Sequence, residues 1–311
     1  MRRIVPLAAI AALACLGSPY PSPPQPPRDA TVPIPDRFAR ARIEMVAAVN
    51  TDRARYGLGP VALDSLATVV AQGHAREMAA EGYLSHYNTA GLAPYERLAA
   101  AGGTGHVLEN VFRWQERAGP GFELDDPWDR FDIRTAQAWL MDSPGHRAAI
   151  LDLHRTAIGV GIAIDPSRAA VYVVQELVSA SATLSHPGRV LPGGVASVSG
   201  QVQTPGARPL MLVVTREPFV RAWAARGDRP PAGSYADGSE RALVVPPWAI
   251  RWNPDDRSFD LRLPMGRGTE PARWYGILYV ASEATVREAV SARRAETGRG
   301  WPAAAFVVEV L

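Results

Sequence analysis

The sequence predicts an α+β fold, in which an α/β/α sandwich domain over residues 37–181 is followed by a mainly β, sandwich-like accessory domain over residues 190–311. Three observations support this prediction. Helical patterns fill most of the first half, which ends in two paired strands, and helices followed by a sheet favour a layered domain. A Gly- and Pro-rich segment, 187–194, then marks a boundary, beyond which strand patterns dominate. With 311 residues, 47% of them hydrophobic, the chain is long enough for two buried cores.

The N-terminus has the pattern of an export signal. Two arginines precede a short apolar stretch, Ile4–Leu16, which predicts a signal peptide over residues 1–17. Ala12-Leu13-Ala14-Cys15 resembles a bacterial lipobox, whose Cys is lipidated, although Ala12 stands where that pattern prefers Leu. Two alternatives stay open: a lipoprotein that meets the membrane only through a lipid on Cys15, and a secreted protein with an ordinary cleavage site.

Residues 18–36 are predicted to form a Pro-rich linker. Eight of them are Pro, which excludes a regular helix or strand and favours an extended polyproline II spacer. No apolar run of 18 or more residues follows, so the folded part is not expected to span a membrane. We therefore expect a protein that is secreted or anchored in the cell envelope.

Charge and cysteine content exclude several classes of protein. The formal net charge is +2, and the 33 basic residues, all Arg, are scattered among 31 acidic residues, which argues against nucleic-acid binding. Cys15 is the sole cysteine, so no disulfide, zinc ribbon or catalytic Cys–His pair is expected in the folded part.

Five helices are predicted in the first domain. The second begins with Asp64 as its cap and ends at Gly82, and residues spaced four apart, among them His74 and Met78, share one of its faces. The last two each start with a capping residue followed by Pro, which favours the first turn of a helix. The five segments are 37–56, 64–82, 94–101, 126–141 and 143–153.

Strands are predicted at 108–112, 157–164 and 170–178 of the first domain. In the second of these, Gly159 and Gly161 alternate with apolar residues, so one face of the hairpin is bare backbone. The accessory domain has strand patterns at 210–215, 259–263, 274–280 and 306–310, and one helical pattern at 283–296. The accessory domain resembles no family that we can name.

An ordered set of motifs in the first domain resembles the CAP superfamily, the SCP-like extracellular proteins of the cysteine-rich secretory, antigen 5 and pathogenesis-related type, in their compact bacterial form. The resemblance covers residues 38–180. It rests on motifs that occur in one order and at compatible spacing: Val49-Asn50, His74, Ser85-His86, Arg97, Glu109-Asn110, Ser143-Pro144-Gly145-His146-Arg147, Ile158-Gly159-Val160-Gly161, Tyr172 and Gln175.

This resemblance implies a cleft with two His and an acidic residue, in which some family members bind zinc or another divalent cation. By position, the ligands are His86, Glu109 and His146. Neutral imidazole suits zinc, a carboxylate compensates charge, and three protein ligands leave a position open for a ligand. Departures from the family pattern leave the fourth ligand undecided, with Asp142 the nearest candidate carboxylate.

The other polar residues have simpler expected roles. His74 is predicted to be a hydrogen-bonded core residue, and His106 and His154 are predicted at the surface. The acidic residues 125, 126, 129 and 132 lack the Gly and final Glu of a calcium loop, so they are expected in a solvated loop and a helix cap. A serine nucleophile at Ser85 or Ser143 is a further alternative, but no G-x-S-x-G motif is present.

Three hypotheses for function follow. The first is an exported module whose cleft binds a small molecule, lipid, peptide or cell-wall fragment, with or without a divalent cation. The second is a metal-dependent hydrolase of envelope or extracellular material, which uses the same three residues. The third is a purely structural envelope protein. Whether the protein is an enzyme, and its oligomeric state, stay open at this point.

Overall fold

The computed structural model describes residues 37–116, 126–185, 187–233, 241–265 and 272–310. The predicted signal peptide, Pro-rich linker and lipid attachment site lie outside these residues. No helix in the described part of the chain is long and apolar enough to cross a lipid bilayer. Residues 37–311 form one compact unit, so the predicted domain boundaries at 181 and 190 stay predictions. We call the part of this unit up to Ser181 the first domain and the part from Ala182 the second domain.

The described residues of the first domain contain the helices α1 Ala39–Arg55, α2 Ser65–Glu81, α3 Pro94–Ala100, α4 Ile133–Asp142 and α5 Pro144–Ile150. The predicted ends of α2 are confirmed. Asp64 accepts a hydrogen bond from the Ala67 amide at 2.7 Å, and Gly82 ends the helix in the left-handed region at φ +68°.

The predicted helix over 126–141 is wrong in one respect, because it is broken. Asp126 does cap a first turn, Pro127–Arg130, by accepting from the Trp128 amide at 3.0 Å. Phe131 then turns inward with extended backbone, and Asp132 caps α4 by accepting from the Arg134 amide. A second capping residue and a buried aromatic ring thus restart the helix. Ser143 makes no capping bond with its side chain, and Pro144 alone marks the start of α5.

The first domain has one four-stranded sheet: β1 Ala62–Leu63, β2 His106–Gln115, β3 Ala157–Asp165 and β4 Ala170–Ser179. Its order is β1-β3-β4-β2, with β1 parallel to β3 and the other neighbours antiparallel. Strand β2 therefore lies at the edge and pairs with β4, where Glu109 faces Glu176 and Asn110 faces Gln175.

Helices cover both faces of this sheet, which confirms the α/β/α layers. On one face, α2 lies directly on the bare glycine side of β3: a Cβ at Gly159 would be 2.2 Å from the Ala67 carbonyl carbon, and one at Gly161 would be 2.1 Å from the Ala71 oxygen. The opposite face buries apolar side chains of α1, α4 and α5 against β3 and β4. That core includes Met45, Leu140, Ile150, Ile158, Ile162, Val173 and Leu177.

Two further sheets form the second domain. The strands are β5 Ala182–Leu184, β6 Arg189–Val190, β7 Val195–Val202, β8 Ala207–Pro218, β9 Arg241–Val245, β10 Arg251–Asn253, β11 Ser258–Pro264, β12 Ala272–Ser282 and β13 Trp301–Val310, and the helices are α6 Ala222–Ala225 and α7 Glu283–Ala292. The first sheet has the order β10-β11-β7-β5 and the second the order β6-β13-β12-β8-β9.

The two sheets pack face to face, which confirms the predicted mainly β sandwich. Val198 and Leu261 of one sheet share a core with Leu212, Leu278 and Phe306 of the other. Helix α7 ends earlier than predicted, because Arg293 adopts the left-handed conformation at φ +51°.

The second sheet also meets the first domain. Tyr95 of α3 stacks on Tyr275 of β12, with ring centroids 3.8 Å apart, and the Ala305 amide of β13 donates to the Thr104 oxygen at 2.8 Å. A hydrophobic cluster common to both domains surrounds these contacts. Helix α3 and the loop before it are therefore packed between the two domains.

Candidate functional site

The candidate site is organised by the edge strand β2. Successive side chains of a strand point to opposite faces, so Glu109 and Asn110 reach opposite sides of the sheet. Glu109 accepts a hydrogen bond from His86 Nδ1 at 2.8 Å, and Asn110 Nδ2 donates to the His146 carbonyl oxygen at 3.3 Å. One strand thus positions the ring of one predicted site His and the backbone of the other.

Glu109 is the buried centre of the site, and its carboxylate has no solvent exposure. Its Oε1 contacts His86 and lies 4.0 Å from His74 Nε2. Its Oε2 accepts from Arg97 Nη2. Both carboxylate oxygens are therefore engaged within the protein, and Arg97 supplies the positive charge that a buried carboxylate requires.

Arg97 of α3 fixes the surroundings of Glu109. Its Nη2 is 3.3 Å from Glu176 Oε1, and its Nη1 donates to the carbonyl oxygens of His86 at 2.6 Å and Leu92 at 3.0 Å. The guanidinium therefore joins β2, β4 and the loop before α3. Planar geometry with several donors suits Arg to this role.

Burial dominates the electrostatics of the two carboxyl groups. Burial and the neighbouring Glu109 raise the pKa of Glu176 well above its usual value, and burial also raises the pKa of Glu109, against the opposing effect of Arg97. The pKa of Glu109 is raised to about 7, and Arg97 lies closer to Glu109 than to Glu176, so Glu109 is the main ionic partner of Arg97. Burial alone would lower the pKa of Arg97, but these two carboxyl groups raise it.

His86 is a neutral imidazole in this environment. Burial, followed by the charge of Arg97, lowers its pKa to about 4. Because Nδ1 carries the proton donated to Glu109, the second ring nitrogen, Nε2, has the lone pair. His86 is 9% exposed, which leaves only an edge of the residue accessible.

His146 lies in the first turn of α5, where Pro144 opens the helix. It is partly buried, and burial together with the nearby His86 lowers its pKa. The Asn110 amide that bonds its carbonyl oxygen also donates to Gln175 Oε1 at 3.1 Å. Two neutral imidazoles within electrostatic reach of each other thus flank the edge of β2.

The donor set fits a cation only in part. In the described ranges, no three His, Cys, Asp or Glu side chains are arranged to hold a metal ion. Glu109 does not suit direct ligation, since its oxygens contact His86 and Arg97. Its position does suit the carboxylate that orients a metal-binding His from behind. Three direct ligands therefore stay a prediction, and Asp142 has no demonstrated part in the site.

Sequence reasoning misses two charged partners in the site, Arg97 and Glu176. Arg97 stands among the family motifs but receives no role from them, and Glu176 falls within a predicted apolar strand. A signal for Glu176 exists, because a carboxylate inside an otherwise buried strand requires a partner.

The remaining histidine predictions concern His74, His106 and His154. His74 is a buried core residue as predicted, 1% exposed, and Nε2 bonds the Ser85 oxygen at 2.8 Å. The surface prediction for His106 is wrong: it is 8% exposed, and its Nδ1 accepts from Arg155 Nη1 at 3.1 Å. His154 is partly buried, and its ring stacks on Trp301 of the second domain with centroids 4.5 Å apart. Contacts distant in sequence decide both cases.

Comparisons with known proteins give a family match and several similar solved structures. Residues 46–177 match the family model described as CAP, Cysteine-rich secretory protein family. Among solved structures, an outer surface protein from Borrelia burgdorferi is similar at 13% identity and TM-score 0.38, covering 46% of this chain and 94% of that one. An extracellular protein containing a SCP domain from Bacillus anthracis str. Ames is similar at 24% identity and TM-score 0.35, covering 44% and 39% respectively. No curated protein sequence matches this chain. By this match, residues 46–177 of the chain carry a CAP domain.

Proposed function

We propose that this chain is an exported ligand-binding protein, whose CAP domain holds its ligand at His86 and His146, with or without a divalent cation. The observation that carries the proposal is the hydrogen bond from His86 Nδ1 to the buried Glu109. It fixes the tautomer and the orientation of the ring, which is the preparation a ligand-binding imidazole needs. Export rests on the signal-like residues 1–17.

The surroundings of His86 favour binding over proton transfer at neutral pH. Its pKa of about 4 keeps the ring neutral, so it offers a lone pair or a polar contact and no charge. Asn110 and α5 hold His146 on the other side of β2. A small polar group of a cell-wall fragment, peptide or lipid headgroup would then be held between two imidazoles.

A divalent cation such as zinc suits the same two residues. His86 and His146 would hold it, and Glu109 would stay behind His86 as the orienting carboxylate. When bound, the cation would polarise an oxygen of the ligand. With two protein ligands it would be held less tightly than at a site with three or four, so cation binding is an option of the cleft rather than a condition of folding.

Binding by the full chain tests the proposal. Zinc, solubilised cell-wall fragments, short peptides and phospholipid vesicles would be titrated against the wild type, His86→Ala, His146→Ala and the control His154→Ala. We expect at least one of these to bind the wild type and His154→Ala alike, and to lose tenfold or more in affinity with either cleft variant. No binding in the whole panel, or binding that survives both cleft substitutions, contradicts the proposal. Chelator-sensitive hydrolysis abolished by both cleft substitutions would instead support the hydrolase hypothesis.

A further inference from the structure

The loop that carries His86 is attached to the second domain. This loop, residues 85–93, lies between the end of α2 at Glu81 and the start of α3 at Pro94. The attachment is made by residues 219–233, which follow β8 and include the short helix α6. We call these 15 residues the bracing segment. Both the loop and the bracing segment lie within the described ranges.

Ser85 makes the contact nearest to His86. Its hydroxyl donates to the Pro231 carbonyl oxygen of the bracing segment at 2.6 Å and accepts from the Tyr87 amide at 3.1 Å. Its own carbonyl oxygen bonds His74 Nε2. Because Ser85 is only 1% exposed, this hydroxyl needs its hydrogen-bond partner inside the protein.

Arg221 makes the second attachment, to Tyr87, the residue after His86. Its guanidinium carbon lies 4.7 Å from the centroid of the Tyr87 ring, and the Trp223 ring approaches the same Tyr at 5.9 Å. The position of Arg221 is itself fixed, since its Nη2 lies 3.1 Å from Glu217 and 3.2 Å from Glu96. A buried cation between two carboxylates and an aromatic face is a rigid support.

The bracing segment also touches the loop further along. A Cβ at Gly91 would lie 3.4 Å from the Ala224 Cβ, so the two backbones approach closely there. Within the first domain, the loop is held by the contact of His86 with Glu109 and by the bond from Arg97 to the His86 oxygen. The side chains on both sides of His86, those of Ser85 and Tyr87, contact the other domain in addition.

We propose that the bracing segment sets the position of the His86 ring, which makes Ser85 and Arg221 positioning residues and the ligand cleft a product of both domains. That the position of the His86 ring matters for ligand binding rests on the proposed function. The effect of the bracing segment on the position of the ring does not depend on that function. A loop without regular secondary structure takes its conformation from such contacts. Loss of one of them should therefore move or loosen the ring without unfolding the protein.

Histidine-ring signals in NMR spectra of the full chain test this without any ligand. The variants are Ser85→Ala, which removes the bond to Pro231, and Trp223→Ala, which removes a ring contact and leaves no charge unpaired. Ser167→Ala is the matched control, because its hydroxyl also makes a 2.6 Å bond, to Asp165, in a hairpin turn of the first domain. Signals of His86 would be assigned by their loss in His86→Gln.

We expect the His86 ring signals to shift or broaden in Ser85→Ala and Trp223→Ala and to stay in place in Ser167→Ala. Unchanged His86 signals in both variants overturn the inference. Zinc affinity is the second readout: where zinc binds the wild type, Ser85→Ala should weaken it by about two- to tenfold, the effect of one hydrogen bond. Altered His86 signals with no zinc binding in the wild type would support the bracing role and count against the cation in the proposed function.

Discussion

Removal of the Arg97 guanidinium should be among the most destabilising single substitutions in the first domain. In Arg97→Met the side chain keeps much of its length, but Glu109 loses the cation that contacts its Oε2, and the His86 and Leu92 oxygens lose their donor. Burial already raises the pKa of Glu109 to about 7, against the opposing effect of Arg97. Without Arg97 the buried carboxyl group must either keep an unpaired charge or take up a proton, and both cost stability. Breaking a buried ion pair on one side costs about 3–5 kcal/mol. That is a large part of the roughly 5–15 kcal/mol that stabilises a typical domain.

Urea unfolding followed by circular dichroism would measure this loss, and a double-mutant cycle would assign it. Glu109→Gln in the Arg97→Met background replaces the ionisable carboxyl group by a neutral amide. The loss of stability in the double variant should therefore be smaller than the sum of the two single losses by about 2 kcal/mol or more. Arg55→Met is the matched control. It breaks an exposed pair with Asp52 at 2.8 Å, whose loss should cost under about 1 kcal/mol.

Two results would refute this reasoning. A loss in Arg97→Met no larger than that in Arg55→Met would mean that the buried pair contributes nothing beyond a surface pair. Strictly additive losses in the cycle would mean that Arg97 and Glu109 do not act as a pair. Either result would remove the electrostatic basis that we give for the site.

Three further predictions concern pH, packing and binding. Burial lowers the pKa of His106 to about 3, so the folded chain stays unprotonated there while the unfolded chain takes up a proton near pH 6.5. The contribution of His106 to the free energy of unfolding is therefore complete above about pH 6.5 and should fall by about 1.4 kcal/mol per pH unit below it. His106→Asn keeps an acceptor for Arg155 and should remove this share of the pH dependence in urea titrations at pH 7 and 5. An equal loss of stability between the two pH values in wild type and variant would contradict the prediction. Gly161→Ala in β3 should lower Tm through a cost of about 1–3 kcal/mol, since the added Cβ would lie 2.1 Å from the α2 backbone. Gly73→Ala, at a position of α2 with open space around it, should raise Tm instead. A rise of Tm in both variants would refute the packing argument. Glu109→Gln should weaken zinc binding by about tenfold or more through loss of the orienting charge behind His86, and an unchanged calorimetric affinity would exclude that role.

Local signals in the sequence were sufficient for most of the first domain. Asp64 and Gly82 fixed the ends of α2 because a cap and a left-handed residue act within one turn. The glycines of β3 indicated a bare face, and the structure shows the α2 backbone lying on it. The broken helix before α4 was missed because two capping residues, Asp126 and Asp132, lie six apart, and a hydrophobic periodicity runs through both.

The site was only partly predictable for a different reason. His86 and Glu109 were identified through the resemblance to the CAP superfamily, and the structure brings His86 Nδ1 to 2.8 Å from Glu109 Oε1. Arg97 of α3 and Glu176 of β4 lie 79 residues apart in sequence. Their contact depends on the packing of α3 beside the sheet and on the register that places Glu176 beside Glu109, and no local pattern specifies either. The contact between Ser85 and Pro231 joins residues 146 positions apart, and no local pattern in the sequence predicts it either.

Helix α3 explains how the second domain can influence the cleft at all. Its consecutive residues Glu96 and Arg97 point to different partners. Glu96 contacts Arg221 and Arg273 of the second domain, each at 3.2 Å, while Arg97 contacts Glu109 and the His86 oxygen. A rigid shift of this seven-residue helix would move both side chains together. A change in the packing of the second domain that shifts α3 would therefore also displace the buried ion pair, and through it the ring of His86.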